Sequence, residues 1–256
     1  MIRSIDLNAD LGEGYGPWSM GDDVAMLGIV TSASIACGGH AGDPDTMFDT
    51  LAVARKNNVA VGAHPGYADR AGFGRRIIPM SPDEMARMIA AQIGALTSIA
   101  RLVGVEVRYV KAHGALANLA AGDAAVARVL VDTVRQLDEQ LAILAISGTE
   151  IEHAARSAGA QVFSEVFADR GYRASGQLVP RSEPGALIYD PAEVADRLLG
   201  FLETGLMPVV DGAPIPLVAD SICVHGDSPG AVDMTTELRS RLLAAGVELR
   251  SFTPTS

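Results

Sequence analysis

Short apolar or alternating segments recur along the chain, and longer segments with helical periodicity lie between them. This order of strands and helices is typical of an α/β protein with a parallel sheet and crossover helices. Neither a linker nor a repeat interrupts it, so we expect one β/α-barrel catalytic domain over residues 1–256, TIM-like but irregular, with about seven strands. The predicted strands cover residues 4–10, 32–36, 59–64, 107–111, 141–146, 161–165, 221–225 and 247–251.

Proline next to a capping residue marks four predicted helix starts. In Ser81-Pro82-Asp83-Glu84, the serine caps, proline occupies the first turn and the glutamate reaches back, which predicts a helix to about Val103. Asp190-Pro191-Ala192-Glu193 repeats this pattern. Asp43-Pro44 and Ser228-Pro229 have the cap and proline without the matching glutamate.

The segment 170–188 is rich in glycine and proline and has little periodicity. A long segment without regular structure inside a compact domain is often functional. We therefore interpret it as a loop or lid over a site.

Polar residues occupy one parity of the first predicted strand, and apolar residues occupy the other. The polar set is Asp6, Asn8 and Asp10. Because alternate side chains of a barrel strand point inward and outward, these three are expected on one wall, in the interior. Branched aliphatic residues would fill that wall in an ordinary barrel.

Ionisable residues also concentrate at or just after the carboxyl ends of later strands, the end at which β/α barrels place their active sites. They are His40, Asp43, His64, Lys111, His113, Glu165, Asp169, His225 and Asp227. Four of the five histidines belong to this set, and His153, in a helical segment, is expected on the surface. Asp43 can equally serve as the cap of the helix that begins at Pro44. Cys37, beside Gly38, is interpreted as a small buried thiol rather than a nucleophile.

Lys111 is one of only two lysines, and the other, Lys56, is expected in solvent. A lysine at a polar strand end is suited to stabilising an oxyanion or a phosphoryl group. A salt bridge with an aspartate of the first strand is the alternative, and it also places Lys111 in the barrel mouth.

The glycine-rich segments exclude the common nucleotide-binding loops, because neither lysine follows glycine and Gly12-Glu13-Gly14-Tyr15-Gly16 lacks the dinucleotide spacing. Gly72-Phe73-Gly74-Arg75-Arg76 could hold a carboxylate or phosphate through backbone amides and guanidinium groups, or could form a surface turn.

Composition narrows the partners and the location. A net charge of −11 and a pI near 4.8 disfavour nucleic acid. No apolar run reaches the roughly 18 residues of a membrane span. The first residues lack the features of a secretory signal, and Cys37 and Cys223 are too few for a disulfide framework, so a cytoplasmic location with free thiols is expected.

Seven ordered blocks resemble the LamB/YcsF lactam-utilisation family over nearly the whole chain. They are residues 6–14, 35–44, 62–65, 110–114, 165–172, 178–182 and 224–227. The chain departs from the family pattern at Gly39, where a large apolar residue is usual, at Ala112, where proline is usual, and at Ala117, where tyrosine is usual. These changes are expected to enlarge the pocket.

The resemblance implies a barrel related to polysaccharide deacetylases and an ATP-dependent opening of 5-oxoproline to glutamate, with partner subunits B and C. The catalytic residues are then expected to be Asp10, His64, Lys111 and His113. Substrate or phosphate binding is expected from Asn8, Glu13, His40, Asp43, Arg75, Glu165, Asp169, Arg170, His225 and Asp227.

Two rival interpretations remain. One is a metal-dependent amidohydrolase or deacetylase without ATP, in which Asp10, His64 and His113 bind a divalent cation. The other is a non-catalytic component that presents 5-oxoproline to its partners.

Overall fold

Parallel strands close into a seven-membered barrel in the computed structural model, which describes residues 4–227 and 230–255. The strands are β1 Ser4–Leu11, β2 Ser32–Ala36, β3 Ala60–His64, β4 Val107–Val110, β5 Ala142–Ile146, β6 Val162–Phe167, β7 Leu206–Met207, β8 Ile215–Pro216, β9 Ser221–His225 and β10 Glu248–Leu249. The ring runs β1-β2-β3-β4-β5-β6-β9, and β9 pairs with both β6 and β1. The predicted β/α barrel of about seven strands is confirmed.

Crossover helices surround this ring and pack their apolar faces against it. They are α1 Asp23–Leu27, α2 Pro44–Lys56, α3 Pro82–Val103, α4 Gly114–Gly122, α5 Ala124–Leu137, α6 Glu150–Ser157, α7 Pro191–Thr204 and α8 Ala231–Ala244. The capping box at Ser81 and Glu84 is present, and α3 ends before Gly104, whose φ of +75° suits glycine. The starts of α2 and α7 after Asp43 and Asp190 are also confirmed. The fourth predicted start, Ser228-Pro229, lies outside the described residues.

The predicted strand 247–251 is reduced to the two residues of β10, which lie outside the ring. They pair only with Ser4 and Ile5, the first residues of β1. From Asp6 onward this edge of β1 is occupied by β9, so no free edge is left for a longer strand. The antiparallel pair of β7 and β8 was not predicted, because two residues per strand are too few to produce a periodic pattern.

Helix α3 is, by length and composition, a candidate membrane span among the described residues, and α4 with α5 would form a sharply bent second one. The buried side of α3, which includes Ile89, Ile93 and Leu96, belongs to the hydrophobic core around the barrel. This buried side is that of an amphipathic crossover helix.

The interior of the barrel is polar along β1, as the alternation of side chains predicts. Asp6 and Asn8 are fully buried inside the ring. Asp6 accepts hydrogen bonds from the hydroxyls of Thr31 at 2.6 Å and Ser32 at 2.8 Å, and also from Ser221. These hydroxyl groups replace the hydrogen bonds to water that the carboxylate loses on burial.

Asp6 is expected to make stability depend on pH. Burial raises its pKa from 3.8 to about 6. Because the folded-state pKa is the higher one, the folded state binds the proton more tightly, and this stabilisation is present below about pH 4 and lost as pH rises through about 6. The free energy of unfolding of the native chain minus that of Asp6→Asn should fall by up to about 3 kcal/mol as the pH rises from 4 to 7. Urea denaturation across this range measures it, and a difference that stays constant with pH would contradict the assignment.

Candidate functional site

A cavity of about 350 Å³ opens at the carboxyl end of the barrel strands. Ten of the predicted site residues line it: Asp10, Glu13, His64, Arg75, Lys111, His113, Glu165, Arg170, His225 and Asp227. A further part of the wall is apolar and comes from α4, α5, α6 and neighbouring strands, for example from Ala115, Leu130 and Ile151. One side of the cavity is therefore charged and the other apolar.

Four predicted residues lie outside this lining. Asn8 lies deeper in the barrel and donates to Glu165 Oε2 at 3.1 Å. His40 lies behind Glu13, and Asp169 lies behind His225. Asp43 caps α2 through Thr46 N at 2.9 Å and accepts from Gly16 N at 2.6 Å, so it takes the capping position and does not reach the cavity.

Lys111 lies buried at the floor of the cavity between two carboxylates. Its Nζ is 2.9 Å from Asp10 Oδ1 and 2.7 Å from Glu165 Oε2, and it also donates to Asn8 Oδ1 at 3.2 Å and Cys223 Sγ at 3.1 Å. Burial disfavours the ammonium ion, but Asp10 and the other anionic neighbours hold the pKa of Lys111 well above its ordinary value. The salt bridge to a first-strand aspartate is thus present, and the three protons of Lys111 already have acceptors.

The pKa values of the two carboxyl groups beside Lys111 are shifted in opposite directions. Burial alone would raise the pKa of Asp10, but His64 and Lys111 together hold it well below its ordinary value. Burial raises the pKa of Glu165, which Lys111 offsets only in part. Glu165 Oε1 has no hydrogen-bond partner among the described residues. Asp10 is therefore the more acidic of the two partners of Lys111.

Three histidines and Glu13 form a second cluster beside this floor, the His–Glu cluster of Glu13, His40, His64 and His113. One ligand atom from each member lies within 4.8 Å of the others, and all four residues are buried. His40 Nε2 is 3.0 Å from Glu13 Oε1, and the rings of His40 and His113 stack with centroids 3.5 Å apart. Three imidazoles and a carboxylate are a donor set that suits a divalent transition metal.

The pKa values in this cluster favour uncharged groups. Burial, followed by the neighbouring histidines, lowers the pKa of His40 and of His113 well below the ordinary value. Burial raises the pKa of Glu13. Asp10 lies beside the cluster without belonging to it, with Oδ2 3.4 Å from His64 Nε2.

His225, at the end of β9 and beside Asp10 of β1, forms an aligned pair with Asp169. His225 Nδ1 lies 2.9 and 3.0 Å from the two oxygens of Asp169, and its ring stacks on Phe167. Burial opposes the charge of Asp169, but His225 outweighs it and lowers the pKa of this carboxyl. Asp169 thereby orients the imidazole and leaves Nε2 for the cavity that His225 lines.

The two arginines of the glycine-rich turn have different partners. Arg75 lines the cavity and pairs with Asp227 at 2.5 Å. Arg76 pairs with Asp69, outside the cavity lining. Gly74, at φ +62°, brings its backbone against the histidines, because an added Cβ would lie 2.7 Å from His40 Cβ. The turn therefore packs on the His–Glu cluster and presents only Arg75 to the cavity.

Other predicted placements are confirmed. Cys37 is buried, donates to Ile35 O at 3.1 Å, and has its pKa raised by burial to about 12, which is the property of a structural thiol. His153 and Lys56 are exposed. In the segment 170–188, Arg170 donates to Ala186 O at 3.0 Å, and residues 177–181 line the cavity.

The comparison with known proteins matches the model of the LamB/YcsF family to residues 5–256. The chain belongs to the LamB/YcsF family. It is similar to a 5-oxoprolinase A subunit, the one numbered 3, of Pseudomonas syringae pv. tomato, with 49% identity over 98% of each chain. The crystal structure of a lactam utilization protein from Thermus thermophilus matches with a TM-score of 0.92 and 41% identity, over 97% of this chain and all of that one.

A peptidoglycan N-acetylglucosamine deacetylase matches with a TM-score of 0.51 and 11% identity, over 98% of this chain and 86% of that one. This is a likeness of fold alone. It shows that the two chains share this barrel fold.

Gly39, Ala112 and Ala117, where the chain departs from the LamB/YcsF pattern, differ in their effect on the pocket. A Cβ at Gly39 would lie 2.3 Å from Gln92 Oε1, so the space next to Gly39 is filled by a side chain from α3. Gln92 also binds both backbone groups of Gly66, which holds it in place. The expectation that Gly39 enlarges the pocket is therefore wrong. Ala112 and Ala117 do line the cavity.

Sequence reasoning missed several contributors to the site. Phe73 supplies the carbonyl that accepts from His113, and Phe167 supports His225. Phe73 was missed because an aromatic residue between glycines is only a weak signal of a site. Phe167 was missed because the end of β6 was predicted two residues too early. The apolar wall was missed because its residues resemble any other core positions.

Proposed function

We propose that this chain is the A subunit of an ATP-dependent 5-oxoprolinase, acting as a single catalytic domain in the cytoplasm with subunits B and C. The observation that carries the proposal is the 49% identity, over 98% of each chain, with a relative that bears the name of this 5-oxoprolinase component. A cavity lined by both acidic and basic groups at the carboxyl end of the barrel supports it.

Opening a lactam requires an activated carbonyl, a directed water and a proton for the departing nitrogen, because amide resonance strengthens the C–N bond. ATP is the co-substrate that supplies the activation. Asp10 is suited to accept the proton of the attacking water, because His64 and Lys111 hold its pKa well below the ordinary value. Lys111 therefore acts as a positioning residue, whereas the sequence suggested an oxyanion donor.

The remaining roles follow from charge and placement. His225, oriented by Asp169, is suited to give a proton to the lactam nitrogen. Arg75, at the rim of the cavity and 39% exposed, is suited to bind the carboxylate of 5-oxoproline or a phosphate. Asp227 holds its guanidinium in position until an anion arrives.

A metal-dependent amidohydrolase that needs no ATP is the second candidate, and the His–Glu cluster is the observation that favours it. A presenting component without chemistry of its own is the third.

The test is glutamate release from 5-oxoproline by the purified chain, alone and with subunits B and C from the same source, with and without ATP. We expect release only from the complete mixture with ATP, and its loss when Asp10→Asn replaces the native chain. Release by the chain alone without ATP would select the amidohydrolase. Full release by the complex containing folded Asp10→Asn would remove Asp10 from the chemistry and favour the presenting component.

A further inference from the structure

When the rings of His64 and His113 are both uncharged, no proton lies between them. His64 Nδ1 lies 2.8 Å from Lys111 O, and His113 Nε2 lies 2.8 Å from Phe73 O. A carbonyl oxygen only accepts, so each of these ring nitrogens must be the N–H donor. The opposite nitrogens, His64 Nε2 and His113 Nδ1, then both carry lone pairs, and they face one another at 3.0 Å.

Two facing lone pairs repel each other unless a cation lies between them. A metal ion satisfies this requirement, and ligating histidines commonly donate their other N–H to a backbone carbonyl, as both do here. A shared proton is the alternative, and the metal-binding test below distinguishes it from a metal ion.

The spacing of the donor atoms also suits a small tetrahedral site. A zinc ion with ligand bonds of about 2.0–2.1 Å separates its tetrahedral ligands by about 3.3 Å. Here His64 Nε2 and His113 Nδ1 are 3.0 Å apart, His113 Nδ1 and Glu13 Oε1 are 3.4 Å apart, and Glu13 Oε1 and His40 Nε2 are 3.0 Å apart. His64 ends β3, and the other three ligands follow the ends of β1, β2 and β4 by two to four residues, so the fold itself brings them to this spacing.

We propose that Glu13, His40, His64 and His113 bind one divalent transition metal of the zinc class. Nitrogen-rich donors select such ions over magnesium and calcium, which prefer oxygen. Glu13, His64 and His113 line the cavity, so the ion lies at its wall beside Asp10. The site does not depend on the proposed function, since the same ion could be structural or take part in chemistry.

The test is metal binding by the full chain after removal of metals with a chelator. We expect one Zn²⁺ or Co²⁺ per chain by elemental analysis, an intense Co²⁺ absorption spectrum of the tetrahedral type, and a higher Tm with Zn²⁺. Mg²⁺ should not compete. His113→Ala, and the more conservative Glu13→Gln, should each weaken binding by at least about 100-fold, beyond the 10–100-fold typical of outer-shell changes.

His225→Ala is the matched control, because it removes a histidine of the same cavity that is not a member of the His–Glu cluster. It should bind Zn²⁺ as the native chain does. Circular dichroism of each metal-free variant separates lost ligands from lost folding. Absence of stoichiometric Zn²⁺ or Co²⁺ from the folded native chain would overturn the proposal and assign the contact to a shared proton. Equal weakening by His225→Ala would overturn the ligand assignment. Neither result decides the 5-oxoprolinase assay, whose readout is glutamate.

Discussion

Replacing Lys111 with methionine is expected to lower the free energy of unfolding by about 3–5 kcal/mol, because removal of one partner leaves a buried charge without compensation. Lys111 holds Asp10 at 2.9 Å and Glu165 at 2.7 Å with almost no exposure to solvent. Glutamate release by the complete complex should fall at least about 100-fold, since the proposed base loses the cation that keeps it ionised. Chemical denaturation and the release assay, both run below the Tm of the variant, measure the two effects.

The double variant Lys111→Met/Asp10→Asn separates these effects. It removes both members of the ion pair, and neutral replacement of a buried pair is often tolerated, so most of the lost stability should return. Glutamate release should stay low. Undiminished release by folded Lys111→Met would exclude Lys111 from the mechanism, and an unchanged unfolding free energy would show that the pair is not stabilising. The loss of stability is expected because the lysine has two carboxylate partners.

Replacing His225 with glutamine is expected to lower glutamate release by about 10²–10⁴-fold, the range typical of general acid–base catalysis. Asp169→Asn should cause a loss of similar size, because the carboxylate at 2.9 Å orients the imidazole. The double variant should be no worse than the more impaired single variant, since two residues that act as a unit do not give additive losses. Single-turnover rates with the complete complex measure all three.

His153→Gln is the control for this series, because His153 is exposed on α6 and lies outside the cavity lining. It should leave release unchanged. Losses that multiply in the His225 and Asp169 double variant would show that the two residues act separately, and an active His225→Gln would end the proposed proton transfer.

The barrel and its active end were predictable from the sequence because both follow from local patterns. Alternation within the first strand placed Asp6, Asn8 and Asp10 inside, and the carboxyl ends of parallel strands brought His64 and Lys111 to the same mouth. These inferences need only the period of a strand and the common direction of all strands in the ring.

The contacts between individual side chains of the site could not be predicted in the same way. Whether Lys111 contacts Asp10 or Glu165 depends on how three strands are staggered around the ring, and no local pattern records that stagger. Asp43 is a second example, because its residue type suits both a helix cap and a functional site. Only the position of Thr46 N in the folded chain decides between the two roles.

The sequence by itself therefore determined the kind of barrel, the end that carries the site and the chemical groups available there. The tertiary structure decided which groups touch, which remain charged and which nitrogen of each histidine is free. His64 and His113 come from different strands, and their tautomers are set by carbonyl groups of Lys111 and Phe73. Such a contact exists only after folding has brought these segments within hydrogen-bond distance, because the hydrogen bond depends on separations in space and on rotamers rather than on spacing along the chain.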